Sequence, residues 1–246
     1  MTAGPDGTRR RATKRSARTP GRSPRPRRTV TFADRADAGH RLARRLTHLR
    51  DADPVVLALP RGGFPVAAEV ARELGAPLDV VLVRKLGVPL QPELAMGAVG
   101  EGDVLVLNPA IVDHAGVGET ELAEIVARAR DEIARRRRRF RPDRDRVPLA
   151  GRTALLVDDG IATGATARAA CRVVRAQGAT RVVLAAPVCL ASTADDLRAE
   201  VDELVCLETP EEFFGVGMSY ADFAQVTDDE AVEILRRAMP PPRRGA

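Results

Sequence analysis

The sequence predicts an α/β fold, with a central, mostly parallel sheet flanked by helices. Two observations predict it. The first is a set of short, continuous apolar runs, "PVVLALP" (54–60), "TALLVDD" (153–159), "RVVLAAPV" (181–188) and "ELVCLE" (203–208). Runs of this kind suit strands buried on both faces. The second is that stretches of helical period separate most of them. Strands alternating with helices require parallel pairing and right-handed crossovers. A chain of 246 residues, 44% hydrophobic, is long and apolar enough for one sizeable domain.

Each element follows in order. "FADRADAGHRLARRLTHL" (32–49) aligns Ala38, Leu42, Leu46 and Leu49 on one helical stripe. The first strand breaks at Pro60-Arg61-Gly62-Gly63. The next helix carries Ala67, Val70, Ala71 and Leu74 in register and stops at Gly75. "DVVLVRK" (79–85) is a second strand. "LGVPLQPELAMGAVGEG" (86–102) has two Pro, four Gly and little period, so it reads as a long loop with some strand near its end. "DVLVLN" (103–108) is a third strand. Residues 118–140 form a long helix that turns Leu122, Ile125, Val126, Ala129 and Ile133 inward. Its "RRRRRF" end places cations on the last turn, where the helix dipole favours them, and reads as a solvated face. Helices near 164–177 and 192–200 separate the later strands.

Charge divides the chain. Residues 1–30 hold ten Lys and Arg and one acid, leaving 29 basic against 33 acidic residues after position 30. The Arg-, Ser- and Pro-rich start has no apolar period and is expected to be a disordered basic tail. It reads as a solvated extension or translated upstream sequence. A grip on nucleic acid and a transit peptide are the alternatives. The domain is expected to span 31–238, with 239–246 a frayed end. No apolar run reaches the ~20 residues of a membrane span. Cys171, Cys189 and Cys206 lack metal-ligand or CxxC spacing and read as core thiols of a cytoplasmic protein. His40, His48 and His114 form no cluster, and nothing suggests a protein-bound transition metal. Aromatics make up 3% of residues, with no Trp, which weakens any function needing stacked platforms.

The chemistry concentrates in "LLVDDGIATGAT" (155–166). Ligands of open parallel sheets bind beyond the carboxyl ends of strands, and Asp158 and Asp159 stand at such an end. Small residues next let the backbone approach a ligand, and successive N–H groups before a helix make an anion nest. Thr163 and Thr166 add hydroxyl donors. Ionised carboxylates beside a phosphate cradle only accept hydrogen bonds, so they suit a sugar diol. The stretch asks for a sugar phosphate. It lacks both the GxxxxGK[ST] and GxGxxG patterns. Taken alone, Asp-Asp would be turn chemistry; the whole string is not.

This string resembles the phosphoribosyl-pyrophosphate (PRPP) motif of the type I phosphoribosyltransferases, and the resemblance extends more weakly over residues 32–230. It implies their fold, with a small C-terminal hood over the site. It implies that Asp158 and Asp159 hold the ribose hydroxyls, while Ala162, Thr163, Gly164, Ala165 and Thr166 bind the 5-phosphate. "LPRGG" (59–63) resembles the family's pyrophosphate loop, so Arg61, Gly62 and Gly63 would face the diphosphate, with a cis peptide expected there. "VRKLGVP" (83–89) resembles the start of the mobile catalytic loop of adenine-type members, which gives Arg84 and Lys85 to the pyrophosphate. Taken locally, each of these two segments is also an ordinary turn or strand end.

"FFGVGMSYADF" (213–223) resembles the purine-type hood. By it, Phe214 stacks on a base and Asp222 stands near the metal-bound pyrophosphate, directly or through water. The alternative is a loop packed down by Phe213 and Phe223. Ala162 occupies the position where 6-oxopurine members carry an acid, which speaks against hypoxanthine and guanine. "LQPELAMGAV" departs from the adenine pattern, and Glu93 is its one acid, an acid/base candidate or an exposed loop residue.

The implied reaction is Mg²⁺-dependent displacement of pyrophosphate from C1 of PRPP by a nitrogen of a base-like acceptor. Such folds commonly form homodimers. The alternatives are a PRPP- or nucleotide-sensing regulator that binds nucleic acid, and a ribose-phosphate hydrolase or phosphorylase. No helix-turn-helix precedes residue 32, which counts against the DNA-binding version.

Overall fold

The structure is a computed structural model that describes residues 31–142, 144–212 and 214–238, with Glu93 described by its backbone alone. The basic tail, Phe213 and residues 239–246, on which three of the expectations fall, lie outside the described residues.

Five parallel strands form the main sheet in the order β2-β1-β6-β7-β8: β1 (Pro54–Ala58), β2 (Leu78–Val80), β6 (Thr153–Val157), β7 (Arg181–Val188) and β8 (Glu203–Glu208). All of β1 and β6 is buried, as the unbroken apolar runs require. Helices cover both faces. On one face lie α1 (Arg35–Arg45), α2 (Gly63–Leu74), α4 (Glu119–Phe140) and α7 (Asp228–Arg237). On the other lie α5 (Ala165–Ala176) and α6 (Ala191–Arg198). Alternate strand residues supply the two cores: Val56, Ala58, Leu155 and Val157 to the first, Val55, Leu57, Ala154 and Leu156 to the second. Gly75, with φ of 64°, ends α2 in the left-handed conformation.

Three expectations change. The run at 79–85 is two strands: β2 stays in the parallel sheet, and β3 (Val83–Val88) leaves it after Leu82. The expected loop at 86–102 is mostly strand: β4 (Gln91–Gly100) folds back antiparallel on β3, with register breaks between Leu86 and Val88. The third strand, β5 (Leu105–Leu107), pairs with β4 and lies outside the parallel sheet. Two of the glycines that suggested a loop, Gly87 and Gly97, serve close backbone approach. A Cβ on Gly97 would stand 2.4 Å from the Val106 carbonyl oxygen of the neighbouring strand. Two further helices went unforeseen. The first is α3 (Pro109–His114). The second, α7, opens on a capping box in which Thr227 and Glu230 exchange hydrogen bonds, a signal readable as T-x-x-E.

A buried ionic clamp ties the hairpin to the parallel sheet. Asp79 of β2 accepts from Arg141 Nη1 at 3.1 Å and from the Val147 and Val80 amides at 2.8 Å each. Arg141 also pairs with Glu101, at the end of β4. Burial raises the Glu101 carboxyl pKa, and Arg141 opposes that rise. Removing one member of a buried ionic cluster leaves its partners underpaired and costs up to about 3–5 kcal/mol. Asp79→Ala is therefore expected to lose about that much stability in urea unfolding, and a loss below about 1 kcal/mol would refute the clamp.

Candidate active site

β6 ends at Val157 in the middle of the parallel sheet, so the residues after it emerge between two neighbouring strands. The Asp158 amide still donates to Ala185 on β7, which fixes where the chain turns out of the sheet. Asp158 Oδ1 accepts from the Asp159 amide at 2.9 Å. Asp159 is buried, and its Oδ2 accepts from Arg35 Nε at 2.8 Å. The Asp159 carbonyl accepts from the Tyr220 hydroxyl at 2.5 Å.

Burial pushes the Asp158 carboxyl well above the ordinary range, and the adjacent Asp159 charge adds to the rise. Asp159 also rises through burial, and Arg35 opposes it. The two carboxyls therefore titrate as a pair, and both lie above the ordinary range. Two carboxyl groups are thus held side by side at a strand end.

The following loop is braced from below. The Ile161 amide donates to Val188, and the Leu190 amide donates back to Ile161. Thr193 Oγ1 donates to the Ala162 carbonyl at 2.7 Å. Gly164 takes a φ of 71° and leads into α5, whose first intrahelical bond runs from Arg168 N to Gly164 O. The amides ahead of that bond have no helical acceptor and are available to an anion. Thr163 and Thr166 are exposed beside them, while Gly164 is buried.

Pro60-Arg61-Gly62-Gly63 leaves β1 next door and carries a cis peptide bond between Pro60 and Arg61, as the resemblance implied. A Cβ on Gly62 would fall 2.0 Å from Asp159 Oδ2. Only glycine lets this loop lie against the acid pair. Arg61 reaches out to Asp228 at 3.4 Å.

A cavity of about 600 Å³ is lined by Pro60, Arg84, Lys85 and Thr166, together with Arg128 and Arg136 of α4. Three expected site residues, Arg84, Lys85 and Thr166, thus meet in one space. A second cavity of about 600 Å³ on the other side of Pro60 holds Arg61, Arg136 and Arg139. Neither cavity is lined by the acid pair or by the hood residues. Phe214 is 74% exposed. Asp222 is exposed, and its Oδ1 accepts from the Ala224 amide at 3.0 Å. Phe223 packs against Tyr220 and lies under the Arg35 guanidinium, 3.8 Å from it.

Sequence reasoning missed Arg35 and Tyr220, which hold the acid pair from positions 124 and 61 residues away. No local pattern marks either. It also took the arginine-rich end of α4 for a solvated face. Those residues are exposed, but Arg136 and Arg139 line a cavity. The signal was the density of Arg itself.

Residues 33–222 match the family model for the phosphoribosyl transferase domain. Two Mycobacterium tuberculosis proteins, one from strain H37Rv and one from CDC 1551, each named "Putative phosphoribosyl transferase", are 54% identical over 211 residues. The match takes in 84% of this chain and 47% of each relative, so the chain spans about half the length of the curated relatives it matches. The crystal structure of TT1426 from Thermus thermophilus superposes with a TM-score of 0.80 at 46% identity, covering 85% of this chain and 100% of that one. With the acid pair, the braced small-residue loop and the glycine turn disposed around one strand end, and with these matches beside them, this chain belongs to the phosphoribosyltransferase family.

Proposed function

We propose that the chain is a Mg²⁺-dependent phosphoribosyltransferase that moves the ribose 5-phosphate of PRPP onto a nitrogen of a base-like acceptor and releases pyrophosphate. The observation that carries this is the Asp158–Asp159 pair, half-buried and buried respectively, set before the unbonded amides of Gly164 and α5. One ligand with a vicinal diol and a phosphate dianion satisfies both groups at once.

In this reading the acids accept the 2- and 3-hydroxyls, and residues 162–166 take the 5-phosphate. The carboxylates lie near a ring that gains positive charge as the C1–oxygen bond breaks. Arg61, Arg84 and Lys85 meet the negative charge that grows on the departing diphosphate. Phe214, exposed on the hood, offers a face to the acceptor base. The β3–β4 hairpin closes over the site and excludes water that would otherwise hydrolyse PRPP.

Among the described residues, no three His, Cys, Asp or Glu side chains gather into a metal-holding group. Mg²⁺ keeps several waters and binds through one or two carboxylates plus substrate phosphates, so it needs no more than an exposed carboxylate from this chain. Asp222 is our candidate for such a contact through water. When bound, Mg²⁺ supplies positive charge against the diphosphate oxygens.

Incubation with PRPP, Mg²⁺ and a panel of purine, pyrimidine and related nitrogen bases tests the reaction. One acceptor should be consumed in step with pyrophosphate release. Pyrophosphate appearing without loss of any base would instead mark a hydrolase. Asp158→Asn with Asp159→Asn should weaken PRPP binding at least about a hundredfold in calorimetry, and unchanged affinity would defeat the ribose assignment.

The raised Asp158 carboxyl has a further consequence. A group whose folded pKa lies above its unfolded value contributes stability that is present below the unfolded value and lost as pH rises through the folded one. Above the unfolded carboxylate value Asp158 therefore contributes less stability than it does in acid. Asp158→Asn removes the titrating group and keeps an oxygen that can accept from the Asp159 amide, so its Tm should exceed wild type at pH 7. The gap should close near pH 4. A variant less stable than wild type at pH 7 would contradict the assignment.

A further inference from the structure

α4 presents arginines to both cavities. Arg128 and Arg136 line the first with Arg84 and Lys85, where Glu121 is the one acidic residue among those described. Arg136 also lines the second, with Arg61. Among the described residues it is the only charged side chain common to the two walls, and it stands between the glycine turn and β3. These are the two segments that the proposed function gives to the diphosphate.

The pairing of these arginines is as informative as their position. Glu132 holds Arg136 at 3.0 Å and Arg84 at 3.2 Å, so one carboxylate tethers a residue of α4 to a residue of β3. Asp228 of α7 holds Arg61 at 3.4 Å. Arg61, Arg84 and Arg136 are each 40% or more exposed. Ion pairs this exposed to water are weak. A diphosphate offers several charged oxygens to the same guanidinium groups in bidentate geometry, and so competes well for them.

We propose that Arg136 is a diphosphate-binding residue of this site and that Glu132 is its exchangeable counter-ion. This rests on the phosphoribosyltransferase reading and extends it. Without ligand, Glu132 is shared by Arg84 and Arg136 and bridges β3 to α4. When the diphosphate enters, both arginines turn to its oxygens and Glu132 is released to solvent. α4 is thereby a wall of the pyrophosphate subsite, and the same swap returns the arginines to Glu132 when pyrophosphate leaves.

The test measures binding of PRPP, inorganic pyrophosphate and ribose 5-phosphate by calorimetry in Mg²⁺ buffer. Arg136→Gln should weaken PRPP and pyrophosphate about tenfold and leave ribose 5-phosphate, which lacks the diphosphate, unchanged. Arg136→Lys should recover part of the loss. Glu132→Gln should tighten pyrophosphate. Arg130→Gln removes the same charge from an exposed position lining a separate groove on α4, and should change nothing. Arg136 is exposed, so its substitution spares the core, and thermal melts verify the fold. If wild type binds PRPP and Arg136→Gln binds it equally, or if Arg130→Gln loses as much, Arg136 is not a diphosphate ligand, and the phosphoribosyltransferase reading stands. If wild type binds neither PRPP nor pyrophosphate, that reading falls and takes this one with it.

Discussion

The contact between Arg35 and Asp159 holds the site together. A carboxylate at the end of a buried strand, with a second acid beside it, faces both desolvation and like-charge repulsion. The Arg35 guanidinium answers both from α1, 2.8 Å away and itself buried. The same group donates to the Ala224 carbonyl at 2.7 Å and covers the Phe223 ring. One cation thus joins the first helix, the acid pair and the hood. The Tyr220 hydroxyl on the Asp159 carbonyl, and the packing of Phe32 on the Tyr220 ring, close the arrangement from the hood side.

Around this centre the two halves of the site differ in charge and in rigidity. The acid pair and the small-residue loop belong to the parallel sheet and are fixed by backbone hydrogen bonds from β7 and by Thr193 at the start of α6. The cationic half sits on separate elements, β3, α4 and the glycine turn, and its exposed arginines pair with Glu132 and Asp228. On the proposed function, this division suits chemistry in which the sugar stays and the diphosphate departs. The buried Asp79–Arg141–Glu101 clamp fixes the base of the β3–β4 hairpin to the sheet while its tip, at Leu90, stands almost fully exposed.

Legibility tracked the range of the interactions. The parallel strands were readable because burial on both faces leaves an unbroken apolar run, as in Val55 to Leu57 and Leu155 to Val157. The loop after β6 was readable because its requirements are local: acids at a strand end, small residues, a helix start. The hairpin was not, because its glycines and prolines mimic a loop. Only the partner strand shows that Gly97 lacks a side chain in order to admit the Val106 carbonyl. The split of residues 79–85 was equally hidden, since Val81 and Leu82 are buried like their neighbours and carry no mark of the change of sheet.

The sequence by itself determined the α/β class, the position of the acid pair and its small-residue loop, and the glycine turn after β1, since each is written in residues adjacent along the chain. Tertiary structure alone decided which side chains neutralise and brace that pair, that the apparent loop is an antiparallel sheet, and that the arginines of α4 face the site. The physical reason is that charge pairing and backbone packing act through space. Arg35 reaches Asp159, and Arg136 comes to stand between Arg61 and Arg84, only after the sheet and its helices have assembled.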